Sequence, residues 1–161
     1  MKKTHAIRLF ESKGIDHRVT EYDSSGDFHT GEEAAALVGA PVDAVYKTLI
    51  VLNESDPRAR PMMAIIPVAA QLDLKALAGA VGAKKLRMAT QREAEKLTGM
   101  QVGGISALAL QRPDFDVLLD EQAILLERFH VSAGARGMDV ELAVEDFVAL
   151  TGARYVQATS G

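Results

Sequence analysis

The segment Met62 to Val68 is almost uninterrupted apolar sequence, and it constrains the fold more than any other stretch. Its length is that of a strand, and a strand apolar on both sides must be covered on both faces. A second run rich in β-formers, Val45 to Leu52, precedes it. The connection Asn53-Glu54-Ser55-Asp56-Pro57-Arg58-Ala59-Arg60-Pro61 is polar and turn-forming, with a length that suits a hairpin excursion. A central pair of strands of this kind needs helices or a further sheet above and below it.

The rest of the chain supplies both. Thr4 caps a helix over residues 4–13 that Gly14 ends, and His17 to Tyr22 reads as a short strand. Asp23 to Asp27 is a polar loop. Thr30 and Glu33 form a capping box opening a helix that closes at Gly39. Asp73 begins another helix, ending near Gly79 or Gly82, and Thr90 with Glu93 makes a second capping box for a helix closing at Gly99. Val102 to Leu110, Val117 to Leu119, Phe129 to Ser132 and Met138 to Leu142 are strand candidates, followed by a helix over 143–151 and a last strand around Tyr155. Similar fragments at 37–40, 97–100 and 150–153 read as helix C-caps rather than a repeat, because no longer period accompanies them. The pattern predicts one mixed α+β domain over residues 1–161: a curled sheet, partly barrel-like, flanked by helices.

Composition excludes several chemistries. With no cysteine among 161 residues, disulfides, thiolate catalysis and Cys-ligated metals are ruled out. No run of 18 apolar residues occurs, and the basic start lacks a signal-peptide core, so a cytoplasmic protein without a membrane partner is expected. The net charge of −4 argues against gripping nucleic acid by bulk electrostatics, and no DNA partner is expected. Basic residues nevertheless concentrate in 57–100, where Arg58, Arg60, Lys75, Lys84, Lys85, Arg87, Arg92 and Lys96 would meet a few phosphates if they converge.

The usual catalytic signatures are missing. His5, His17, His29 and His130 lack paired metal-ligand spacing, so no metal and no cofactor are expected. Lys47-Thr48 lacks the glycines of a phosphate loop, and Gly104-Ile105-Ser106-Ala107-Leu108 is half a nucleophile elbow, lacking its second glycine. Three features remain. Lys47 sits in an apolar strand on the side of Leu49 and Val51, so its amine either reaches water or enters a pocket where it needs an anion or a carbonyl. Gly103-Gly104 is either a plain turn or a place where backbone N–H groups receive a developing oxyanion. The unit from Val131 to Leu142 sets Gly134, Arg136, Asp139 and Glu141 in a strand–turn–strand, the two carboxylates on one strand side.

Val45-Tyr46-Lys47-Thr48-Leu49, Pro67-Val68-Ala69-Ala70-Gln71-Leu72-Asp73-Leu74-Lys75, Gly82-Ala83-Lys84-Lys85, Val102-Gly103-Gly104-Ile105-Ser106 and Val131 to Leu142 together resemble the YbaK/EbsC family. The matches run in order along nearly the whole chain. The resemblance implies a trans-acting aminoacyl-tRNA editing deacylase related to the editing domain of bacterial prolyl-tRNA synthetases. Cys-tRNA(Pro) is the closest substrate, and cleavage is assisted by the substrate's own thiol. Removal of Ala, Ser or Thr by water is the alternative, and a non-catalytic module holding aminoacyl-tRNA or a synthetase is another. By resemblance, Lys47, Gly103 and Gly104 are catalytic, and Tyr46, Ser106, Gly134 and Asp139 bind substrate. The implied partners are the 3′ acceptor end of aminoacyl-tRNA and prolyl-tRNA synthetase. Two positions depart from the family pattern: Ala107 replaces a proline, and Ala135 replaces a basic residue.

Overall fold

The computed structural model describes residues 3–23, 31–110 and 114–160. The Thr30 half of the first capping box, His29 and residues 24–27 of the polar loop lie outside them. Helix α1 (His5–Lys13) begins where Thr4 accepts the Ile7 N–H, and strand β1 (His17–Glu21) follows. After α2 (Gly31–Val38) come β2 (Tyr46–Asn53) and β3 (Met62–Pro67), antiparallel from Tyr46↔Pro67 to Val51↔Met62. Next are α3 (Leu74–Val81), β4 (Leu86–Met88), α4 (Gln91–Thr98) and β5 (Asp116–Asp120). The chain then forms β6 (Arg128–Ser132), β7 (Met138–Ala143), α5 (Val144–Thr151) and β8 (Arg154–Val156). Thr90 and Glu93 form the expected reciprocal capping box on α4, and Gly99 and Gly152 close α4 and α5.

The strands form two sheets, β4-β2-β3-β5-β8 and β1-β7-β6. The helix-flanked α+β character agrees with the sequence reading, but the curled, partly barrel-like sheet does not. β5 and β8 extend the large sheet by parallel pairing away from β3, and the three-residue strands β4 and β8 end it on opposite sides. Closure would require those two edges to meet. The remaining strands pair among themselves, and a single parallel bridge, Val45↔His130, links the two sheets.

β3 is central and buried along its length, as its apolar run demands. Period-two alternation sends Met63 and Ile65 into one core with α1, α5 and the small sheet, where Phe10, Phe129 and Phe147 are fully buried. Met62, Ala64 and Ile66 enter a second core on the opposite face, under Leu77 and Ala78 of α3. Two corrections concern single elements. Val102 to Leu110, expected as a strand, is a chain of turns: Gly104 donates its N–H to the Gln101 carbonyl at 2.8 Å, and Ser106 Oγ accepts the Leu108 N–H. β4 was not anticipated, because three residues carry too little periodicity to register.

The C-terminal segment is stitched down by one buried carboxylate. Asp120 is 1 % exposed, and its Oδ1 accepts the Ala158 N–H at 3.0 Å and the Thr159 hydroxyl at 3.3 Å. Ala158 in turn accepts the Asp73 N–H that precedes α3. Asp120→Ala leaves a buried N–H without its acceptor and is predicted to cost about 2–3 kcal/mol, read as a lower urea midpoint at unchanged slope. An unchanged midpoint would show that these bonds contribute nothing net.

Candidate functional site

The site follows from how β2 is paired. The Val45 carbonyl accepts the Val68 N–H at 2.8 Å, so odd positions of β2 turn their backbone groups toward β3. Even positions turn away: the Ile50 carbonyl accepts the Ala89 N–H at 2.9 Å, beside the pairing with β4 that begins at Val51↔Met88. At its other end β2 packs on β6 through Tyr46 against Phe129, and Val45, just before β2, bridges His130. Between these contacts neither β4 nor β6 pairs with β2 among the described residues, which leaves a split in the ladder along that edge.

A cavity of about 460 Å³ occupies the split. One wall is α2, whose Ala34, Leu37 and Val38 form a helical face at i, i+3 and i+4, with Val68 beside them. Gly31 lets α2 approach, because a side chain there would stand 2.6 Å from the Val68 carbonyl oxygen. Tyr46, Lys47, Thr48 and Leu49 of β2 form the floor. The Val102–Ile105 turn forms a third wall, and Tyr22, Ser132, Arg136, Met138 and Asp139 close the fourth.

Lys47 stands opposite Ile66 on the side of Leu49 and Val51, as strand alternation requires. It is half-buried and makes no hydrogen bond or ion pair among the described residues. Burial lowers the pKa of its amine. An ammonium held so, beside apolar walls, is a ready donor for a ligand's oxygen atoms. Tyr46 packs its ring edge-on against Phe129 with centroids 5.2 Å apart, and burial raises its hydroxyl pKa far above the ordinary value. Asp139 is buried, lines the cavity, and pairs with His130 Nδ1 at 2.7 Å. Burial pushes its carboxyl up, against the pull of His130. Burial and the Asp139 charge likewise raise Tyr22.

Among the residues singled out from sequence, Lys47, Tyr46, Gly103 and Asp139 meet at this cavity. Gly104, Ser106 and Gly134 stand behind its wall. Gly104 lies against the next turn, where an added Cβ would stand 2.6 Å from the Arg136 nitrogen and 2.7 Å from the Ala135 carbonyl carbon. Ser106 is 2 % exposed and spends its hydroxyl on the Leu108 N–H. Gly134, at φ +103°, borders a neighbouring open cleft with Met100, Gln101 and Ala135, and Tyr22 and Arg136 line both spaces. Sequence reasoning missed Tyr22, Ser132 and the α2 face. Ser132 enters the site because it opposes Asp139 across the β6–β7 ladder, a register the sequence does not state.

This is a small, mostly apolar pocket with two cationic side chains, Lys47 and Arg136, and one carboxylate, Asp139, suited to an ester carrying a small charged group. Comparison with known proteins agrees. Residues 26–150 match the aminoacyl-tRNA editing domain family. Over 159 residues the chain is 33 % identical to EbsC of Enterococcus faecalis, assigned as a Cys-tRNA(Pro)/Cys-tRNA(Cys) deacylase, covering 99 % of this chain and 94 % of that protein. It is 26 % identical over 132 residues to the multifunctional Ser/Thr-tRNA deacylase ProXp-y of Escherichia coli, covering 82 % and 75 % of the two chains. A crystal structure described as a trans-editing enzyme for prolyl-tRNA synthetase superposes with a TM-score of 0.81 at 27 % identity, covering 100 % of both chains. The chain belongs to the aminoacyl-tRNA editing domain family, in its YbaK/EbsC branch. Its activity is the deacylation of aminoacyl-tRNA.

The contact between the two turns gives a direct test. Gly104→Ala forces backbone against backbone and is predicted to cost about 1–3 kcal/mol of stability, by thermal or urea unfolding. A variant as stable as the parent would mean that the Ala135–Arg136 turn yields freely.

Proposed function

We propose that the chain clears cysteine mischarged onto proline-specific tRNA, reading the 3′ acceptor end and acting alongside prolyl-tRNA synthetase. The observation that carries this reading is the convergence of the half-buried Lys47 amine and the Gly103 turn on one cavity of about 460 Å³. A space of that size suits a terminal ribose and a small aminoacyl group. The likeness to EbsC supports cysteine as the group removed.

In this mechanism Lys47 holds the terminal adenosine or its phosphate by a charge-assisted hydrogen bond. Asp139 offers the carboxylate that the substrate's α-ammonium needs. The cysteine sulfur attacks its own ester carbonyl, forming a carbon–sulfur bond, and backbone N–H groups at the Gly103 turn receive the oxyanion. Since Gly104 already donates to Gln101, the Gly103 side of the turn carries that role. The carbon–oxygen bond to the ribose then breaks, the thiol proton passes to the ribose oxygen, and a small thiolactone leaves. The protein supplies position and charge stabilisation, and no side-chain nucleophile is required.

Purified protein, given tRNAs charged with Cys, Ala, Ser, Thr and Pro, is predicted to clear Cys fastest. Faster loss of Ser or Thr would place water in the role of the thiol, and equal background loss throughout would overturn the substrate assignment. Lys47→Ala removes one charge-assisted contact worth roughly 1.5–3 kcal/mol, a loss of about 10- to 100-fold in single-turnover rate. A folded Lys47→Ala protein with the parental rate would remove the amine from the mechanism.

A further inference from the structure

Behind the cavity wall lies a histidine that the mechanism above does not use. His130 on β6 has 13 % of its side chain exposed, and its Nδ1 stands 2.7 Å from Oδ2 of Asp139, itself 6 % exposed. Its Nε2 stands 3.5 Å from Oε2 of Glu141. The register produces this placement: His130 opposes Glu141 and Ser132 opposes Asp139, so the imidazole reaches one carboxylate directly across the ladder and the other diagonally. His130 is absent from the cavity lining, whereas Asp139 belongs to it.

We propose that His130 is a positioning residue of the deacylation site: held between two carboxylates, it keeps Asp139 ionised and aimed into the cavity to receive the substrate's α-ammonium. This inference rests on the reading of the cavity as the aminoacyl site. A protonated imidazole donates from both nitrogens, fixing the Asp139 rotamer and leaving its second oxygen for the ligand. The surrounding charges are consistent with that state. Arg128 on β6 is held by Asp16 at 3.2 Å and lies 3.8 Å from Glu141. β1 sets Thr20 opposite Asp139 and Arg18 opposite Glu141, and Tyr22 follows β1 near Asp139. Lys47 and Arg136 share the cavity, and the apolar Val45, just before β2, bridges His130.

The direction of titration follows. Burial raises the Asp139 carboxyl and favours its neutral form, while the His130 hydrogen bond pulls it back; that same bond raises the pKa of His130. As pH falls through the Asp139 pKa, the carboxylate is neutralised and its hold on the α-ammonium is lost. Without His130 that loss begins at a higher pH.

The test is the pH profile of single-turnover deacylation of Cys-tRNA(Pro), corrected for spontaneous ester loss, for the parent, His130→Phe, His130→Asn and His130→Gln. His130→Phe is expected to lose about tenfold in rate near neutral pH, with its acid limb moved up by about one pH unit. His130→Asn places an amide N–H where Nδ1 stood and is expected to recover most of the rate. His130→Gln places its amide toward Glu141 and is expected not to. A folded His130→Phe protein with the parental rate and limb overturns the proposal. If that variant does not fold, equal behaviour of the Asn and Gln variants overturns it. An active parent with an indifferent His130 series fails this inference alone, whereas a parent inactive on every aminoacyl-tRNA fails the aminoacyl-site reading and this inference with it.

Discussion

The pairing of β2 with β3 is the interaction on which the rest of the molecule depends. β3 is buried on both faces, so it must be flanked in the sheet plane, and β2 supplies six registered residues along one edge. That leaves the other edge of β2 to be satisfied. β4 takes the C-terminal end and β6 touches the N-terminal end, and the cavity forms where neither reaches. A ladder that continued across this stretch would leave no cavity. The same pairing sets Lys47 opposite Ile66 and thereby chooses the face on which its amine emerges.

This arrangement explains why a search for a catalytic triad finds nothing. The cavity walls contribute two cationic groups, a buried carboxylate and the backbone of a tight turn, and the serines at and behind them are already engaged. Ser132 accepts the Gly134 N–H, and Ser106 accepts that of Leu108. On the proposed mechanism, such a pocket would hold an already reactive ester in a fixed geometry, with orientation and electrostatics supplying the acceleration. The desolvation that lowers the Lys47 pKa also strengthens the bond its ammonium makes once a ligand arrives.

Much of this was legible in the sequence because its signals are local. The apolar run of β3, the side of β2 that carries Lys47, the Thr90–Glu93 box and the shared strand side of Asp139 and Glu141 each follow from a period or spacing within one element. What failed depends on pairing between distant segments. Whether the sheet curls depends on where β5 and β8 attach, and no residue of either strand states its partner. Val102 to Leu110 contains enough β-formers to suggest a strand, but Gly103-Gly104 and the Ser106 hydroxyl close local turns that outcompete a ladder. The apolar face of α2 was readable at Ala34, Leu37 and Val38, though not the fact that it faces a ligand space rather than solid core.

The backbone contact between Gly104 and the Ala135–Arg136 turn joins two segments some thirty residues apart in sequence into one mechanical unit. Gly103 lies at one end of that unit, and Asp139 and Ser132 flank the other. Sequence drift cannot then treat the two turns separately. A lineage that gains a side chain at position 104 must first widen the turn at 135–136, and one that shortens that turn loses the backing of the Gly103 wall. Side chains around the two turns can change charge without touching this contact, whereas the spacing of the turns is fixed by it.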